Sequence, residues 1–198
     1  MNRSKLRLCI ILAFVAFAVP SIAIAQEGPG ANDDPMTSRD QQQIHRSLKP
    51  QNFTTRIFAE GEQAQARAQQ ILELYKILET GPTIEQVARH VSADYIQHSP
   101  FIPNGPQPLA MLFASSVAQY PVAIDVHRIA VVGDFGMAHV NFRNLDNDDP
   151  GDLGIAAVDM YLWGADGKIV EHWDVLQEVP TYSANTNTMF LQLYKGEE

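Results

Sequence analysis

Apolar residues recur at helical spacing between residues 60 and 79. Ala64, Ala68, Ile71, Leu72, Tyr75 and Leu78 fall on one stripe, and Gly81-Pro82 ends it. Thr83 opens a second, short helix: Gln86 stands three residues on, at capping-box spacing, and Ile84, Val87 and Ala88 form its apolar side. A brief extended piece over 95–98 leads into Pro100, Pro103, Pro106 and Pro108, after which 109–118 regains helical spacing. The pattern then changes to strands. Residues 122–132, a Gly133-Asp134 turn, and 137–142 come first, followed by an acidic loop over 144–154 with Asp146, Asp148, Asp149 and Asp152. Residues 155–163 and 168–177 form the last hairpin, joined through Ala165-Asp166-Gly167. Helices followed by a meander of antiparallel strands make an α+β layout, with the helices covering one face of a curved sheet.

The chain has 198 residues, and its first 25 follow a different pattern. Arg3, Lys5 and Arg7 precede an uncharged apolar run over 8–19, then Pro20 and the small-residue site Ala23-Ile24-Ala25. This is the layout of a secretory signal cleaved after Ala25, leaving Gln26 as the mature N-terminus and a secreted or periplasmic protein. The run to Val19 is short of the roughly 20 residues that cross a bilayer; counting on to Ala25 gives an uncleaved anchor as the alternative. Residues 26–58, rich in Gly, Pro, Asn, Asp, Gln and Ser, read as a flexible leader, and 59–198 as the folded domain. Cys9 is the only cysteine, so the mature chain has none, which excludes disulfides, thiol catalysis and Cys-ligated zinc. A domain of about 140 residues can hold itself together by its core alone.

Charge narrows the class of partner. Fourteen Lys and Arg face 23 Asp and Glu for a net of −9, and three of those bases precede the first acid at Glu27. So acidic a body is repelled by nucleic-acid phosphates and anionic lipid surfaces, and no basic stripe offsets this. A small molecule is the expected partner.

The last hairpin holds the densest candidate chemistry. Strand alternation puts His172 and Asp174 on one face, with Val170 and Leu176, and Asp159, Tyr161 and Trp163 on one face of the preceding strand. A two-residue Asp166-Gly167 turn would set Tyr161 across from His172 and Asp159 across from Asp174. Two facing carboxylates favour a shared proton and a raised pKa, which suits an acid or base near neutral pH. A three-residue turn with Gly167 in a bulge would instead move Asp159 to the Trp173 side. Singly, each of these residues is ordinary in a solvated strand; together, with few bases nearby, they form a candidate site.

His98, ending a short strand before the Pro-rich loop, is placed either at a pocket rim or as a cap of that loop. His139, alternating with Val140 and Phe142, reads as cavity-facing or as a satisfied core histidine. Tyr95, Phe101, Trp163 and Trp173 are candidate cavity lining. His45, His90 and His127 carry no such argument. His172-Trp173-Asp174 begins like a two-histidine, one-carboxylate metal site, but no His follows position 172. There is no H-E-x-x-H, G-x-S-x-G or Gly-rich phosphate loop. Acid–base work with no metal or organic cofactor is the chemistry left.

The chain resembles the SnoaL-like polyketide cyclase family of the nuclear transport factor two-like (NTF2-like) superfamily. The residues that carry the likeness are Tyr95-Ile96-Gln97-His98-Ser99-Pro100, Gly105 ahead of a helix, Val158-Asp159-Met160-Tyr161, the run from Gly167 through His172-Trp173-Asp174 to Gln177, and Ser183-Ala184-Asn185 with Met189-Phe190. It spans about residues 64–190, and Gly-Lys-Ile-Val-Glu-His-Trp-Asp is its most specific part. The resemblance implies a cone of curved antiparallel sheet closed by helices around a deep pocket, commonly a homodimer through the outer sheet face. It also implies a pocket aspartate acting as general acid/base in an intramolecular aldol condensation, a role that falls by motif on Asp174, with His172 and His98 beside it. Ser99 stands where the family often has Asn. An export signal is unusual for a cyclase of cytoplasmic intermediates, so the resemblance implies the fold more firmly than the polyketide substrate.

Overall fold

A computed structural model describes residues 54–182, 185 and 187–190. The signal segment, its cleavage point and most of the leader lie outside these residues, as do Ser183 and Ala184. Everything described falls within one unit, Pro35–Glu198.

In chain order the elements are β1 (Arg56–Ala59), α1 (Glu62–Glu79), α2 (Ile84–Val87), β2 (Val91–Gln97), α3 (Pro106–Val117), β3 (Ala123–Val132), β4 (Phe135–Arg143), β5 (Ile155–Trp163) and β6 (Ile169–Glu178). The expected stripe of α1 is the buried one except for Leu72, which is only half-buried at its edge, and Arg67 and Leu74 join it. The Thr83–Gln86 capping box forms in both directions. Helix α3 starts three residues before the apolar spacing suggests, because Pro106 occupies the first turn, where no backbone N–H is needed.

The α+β class is as expected, but the sheet is mixed. Its six strands run β1-β3-β4-β5-β6-β2. The central four are antiparallel, whereas β1 pairs with β3 and β2 with β6 in parallel. The sheet is open, with β1 and β2 at its edges. Two short segments thus differ from their sequence reading. Residues 56–58, assigned to the leader, belong to the sheet, and the brief piece before the Pro-rich loop is a seven-residue edge strand. Neither segment alternates apolar and polar residues cleanly along its length.

Helix α1 packs on β3 and β4, and α3 on β2 and both other helices. One sheet face therefore carries the core, with Ile129, Val131, Ala138, Val140, Ala157, Tyr161 and Trp163 all buried. Trp163 anchors one end. Its ring lies 2.7 Å from where a Cβ on Gly136 would stand, its Nε1 donates to Gln70 Oε1 at 2.7 Å, and Arg67 covers it at 5.3 Å. Arg67 is itself tied to Asp134 at 2.7 Å. Among the described residues no helix is long and apolar enough to cross a membrane.

Candidate active site

The β5–β6 register sets Asp159 across from Asp174 and Tyr161 across from His172. It does so by a route the sequence count did not contain. The turn is the three-residue form: Gly164 N–H donates to Lys168 O, Gly167 N–H donates to Gly164 O, and Gly167 takes φ +77°. That turn alone would shift the register by one. A bulge restores it, since Trp163 pairs with Ile169 but Leu162 pairs with Glu171, leaving Val170 as the extra residue.

On the helix-side face, Asp159 and His172 are buried, at 3% and 8% exposure, and Asp174 is half-buried. Asp159 meets a residue the sequence reading assigned only to the core: Tyr75, from α1, donates its hydroxyl to Asp159 Oδ2. Tyr161 donates in turn to Tyr75 Oη at 2.6 Å. The two hydroxyls form a relay that ends on the carboxylate. Burial, and next the charge of Asp159, hold both phenols far above the ordinary tyrosine range, so both remain donors.

His172 is oriented from its other side. Gln97 Oε1 accepts from His172 Nδ1 at 2.7 Å and from Ser99 N–H at 3.1 Å, while Gln97 Nε2 donates to Tyr95 Oη at 3.3 Å. A carbonyl oxygen can only accept, so His172 carries a proton on Nδ1. Its Nε2 then faces Asp159 Oδ1 at 3.6 Å, and a second proton on the ring would lie against the carboxylate. Burial raises the pKa of Asp174, and the charge of Asp159 adds to this. A hydrogen bond from the Ser99 side chain and the nearby His172 oppose the shift.

The arrangement thus brings together Asp159, Asp174, His172, Tyr161 and Tyr95, with Tyr75, Gln97 and Ser99 as members not singled out from the sequence. Tyr75 could have been suspected, because a buried phenol needs a partner for its hydroxyl. The other candidates lie elsewhere. His98 is on the opposite face of the β2–β6 edge, stacked on Trp173 at 4.8 Å and 3° and bound to Glu171 at 2.6 Å. Alternation explains the placement: Glu171 and Trp173 flank His172 and point the other way. His139 also lies on the outer face, where its Nδ1 accepts from Arg128 at 2.8 Å. Phe101 is 65% exposed, and Trp163 is the anchor described above. Among the described residues no group of three or more His, Cys, Asp or Glu is placed to hold a metal ion.

Tyr75→Phe would leave Asp159 Oδ2 without its donor and the Tyr161 hydroxyl without its acceptor. The expected loss is about 1–3 kcal/mol of stability, read from urea unfolding.

No family model and no curated protein matches the chain. Solved structures do. A candidate polyketide cyclase from Bacillus cereus is 22% identical over 64% of this chain and 86% of its own, with a TM-score of 0.49. A candidate SnoaL-like polyketide cyclase from Jannaschia is 15% identical over 59% and 89%, at 0.47. An NTF2-like protein of unknown function from Mesorhizobium loti is 14% identical over 62% and 98%, also at 0.47. At such identities and TM-scores the chemistry must come from this chain's own residues.

Proposed function

We propose that this NTF2-like domain is an exported, cofactor-free acid/base enzyme acting on a carbonyl-containing, mostly apolar small molecule, by aldol-type cyclisation or isomerisation. The observation that carries the reading is the cross-strand pair Asp159–Asp174 beside an oriented His172. Asp174, half-buried and raised in pKa, is the base: it removes a proton α to a carbonyl, and the C–H electron pair becomes an enolate. The enolate attacks a second carbonyl carbon or is reprotonated elsewhere on the skeleton. His172, protonated at Nε2, gives that proton to the developing alkoxide. Asp159 already accepts from Tyr75, so its task is to hold the imidazolium rather than to transfer a proton. Asp174 passes its proton back to His172 through solvent, which closes the cycle.

A non-catalytic binding module of the same fold is the second reading. It is favoured by two internal hydrogen-bonded groups, Asp159 with Tyr75 and Tyr161, and Gln97 with Tyr95 and His172. The two readings part in deuterium oxide. Incubated with aryl methyl ketones and followed by proton NMR, an enzyme exchanges the α-protons faster than buffer does. A binding module shifts the ketone resonances without exchange. Export is tested separately: intact mass of protein from its native host should correspond to a chain beginning at Gln26, and a chain retaining Met1 would refute it.

A further inference from the structure

Most hydrogen-bond donors around Asp159 and Asp174 are spent on protein acceptors. Tyr161 donates to Tyr75, Tyr75 to Asp159, the Ser99 side chain to Asp174, and His172 Nδ1 to Gln97. Tyr95 differs. It lies on the edge strand β2, on the face that Gln97 and His172 share, and its ring centre is 6.4 Å from that of the imidazole. The residue is buried, at 2% exposure. In its one described side-chain hydrogen bond it is the acceptor, since Gln97 Nε2 donates to Tyr95 Oη at 3.3 Å. The far end of the amide fixes that direction: Gln97 Oε1 takes the Ser99 N–H, which can only donate, so the NH2 group must face Tyr95. The hydroxyl proton of Tyr95 is therefore not used in this contact, and no described residue accepts it.

We propose that Tyr95 is a catalytic residue, donating a hydrogen bond to the carbonyl oxygen of the substrate and to the enolate oxygen that this atom becomes. The inference rests on the acid/base reading above and adds the group that holds its first intermediate. When Asp174 takes the α-proton, the C–H electron pair moves into the carbon–carbon bond and the carbonyl π pair moves onto oxygen. A full negative charge then forms beside Asp159, and it needs a donor that is already in place. His172 is committed elsewhere: its Nε2 faces Asp159 Oδ1 at 3.6 Å, and its proton goes to the alkoxide of the second step. Tyr95 supplies the hydrogen bond without giving up its proton, because burial, and next the charges of Asp159 and Asp174, hold the phenol well above the ordinary tyrosine range. Its backbone is pinned as well. Gly105 N–H donates to Tyr95 O at 2.9 Å, and Gln97 N–H donates to Asn104 Oδ1 at 2.9 Å, so the donor does not have to reorganise when the charge appears.

The test is carbon NMR of the full chain with acetophenone labelled at its carbonyl carbon. In wild type the bound carbonyl resonance lies downfield of the free one, the direction that a hydrogen bond to the oxygen imposes. Tyr95→Phe removes this shift and weakens binding by no more than about 10-fold, the range of one neutral hydrogen bond. It also lowers α-proton exchange in deuterium oxide by about 10²- to 10³-fold, as loss of one oxyanion donor does. Asp174→Asn lowers exchange but keeps the shift, which separates the donor from the base. Replacing Tyr95 by 3-fluorotyrosine, a stronger donor of the same shape, enlarges the shift, so the result does not hang on one variant folding. A shift that Tyr95→Phe removes, with no exchange even by wild type, keeps Tyr95 as the carbonyl donor and refutes the enzyme reading. Exchange by wild type with a carbonyl resonance that is unshifted, or that Tyr95→Phe leaves in place, overturns the proposal and leaves Asp174 as the base.

Discussion

Asp174→Asn lowers α-proton exchange by about 10²- to 10⁴-fold, the share that a positioned base contributes, and leaves ketone affinity nearly unchanged. The substitution keeps the shape of the side chain and its capacity to accept from Ser99, and it removes only the basic oxygen. The same change has a stability signature of opposite sign. Because the folded-state pKa of Asp174 is raised, the folded protein holds this proton more tightly than the unfolded chain does. Its ionised form therefore weakens the fold above the folded pKa, and the cost fades as pH falls below the ordinary value of 3.8. The Asn variant should accordingly be more stable than wild type at neutral pH, with the difference vanishing on acidification. Urea unfolding at both pH values reads this; a neutral-pH variant less stable than wild type would show that Asp174 is a structural partner and not a strained base.

Gly154→Ala is the most destabilising single change expected at the entrance to β5. Gly154 takes φ +89°, and an added Cβ would stand 2.1 Å from Asn141 Oδ1 and 2.7 Å from Phe142 O. The first neighbour cannot swing away freely, since Asn141 Nδ2 donates to Leu153 O at 3.1 Å. The second is backbone. Gly154 O also accepts from Val179 N–H at 3.0 Å, so the residue is held from both sides. Overpacking and left-handed strain together should cost about 3–5 kcal/mol, lowering Tm by roughly 10 °C in a domain of this size. A melt by circular dichroism within the error of wild type would show that the loop relaxes instead.

The parts of the fold legible in the sequence are those fixed by local chemistry. The α1 stripe, the Thr83 capping box and the alternation along β5 each depend on neighbours within a few residues, and each is found, the stripe with Leu74 in place of Leu72 and with Arg67 added. The parallel edges β1 and β2 were not legible, because pairing of Arg56 with Arg128 or Gln97 with His172 leaves no local mark. The hairpin is intermediate. Counting gave the right facing pairs through the wrong turn, and the Val170 bulge compensated for a residue that no periodicity could assign.

For the site, residues on two neighbouring strands were legible, and those delivered from elsewhere were not. Asp159, Tyr161, His172 and Asp174 follow from alternation and register alone. Tyr75 arrives from a helix more than 80 positions earlier, and its role is invisible until α1 packs on the sheet. His98 and His139 were drawn in by residue type, but one-residue alternation decided their face, and both point away from Asp159.

Whether Asp174 is a tuned carboxylate is measured directly by carboxyl-carbon NMR titration of labelled protein. The prediction is a midpoint for Asp174 above 3.8 that rises further in Ser99→Ala, where an opposing hydrogen bond is lost, and falls in Asp159→Asn, where a neighbouring negative charge is removed. A midpoint at or below 3.8 in wild type, unmoved by either substitution, would contradict the acid/base reading and leave a binding module.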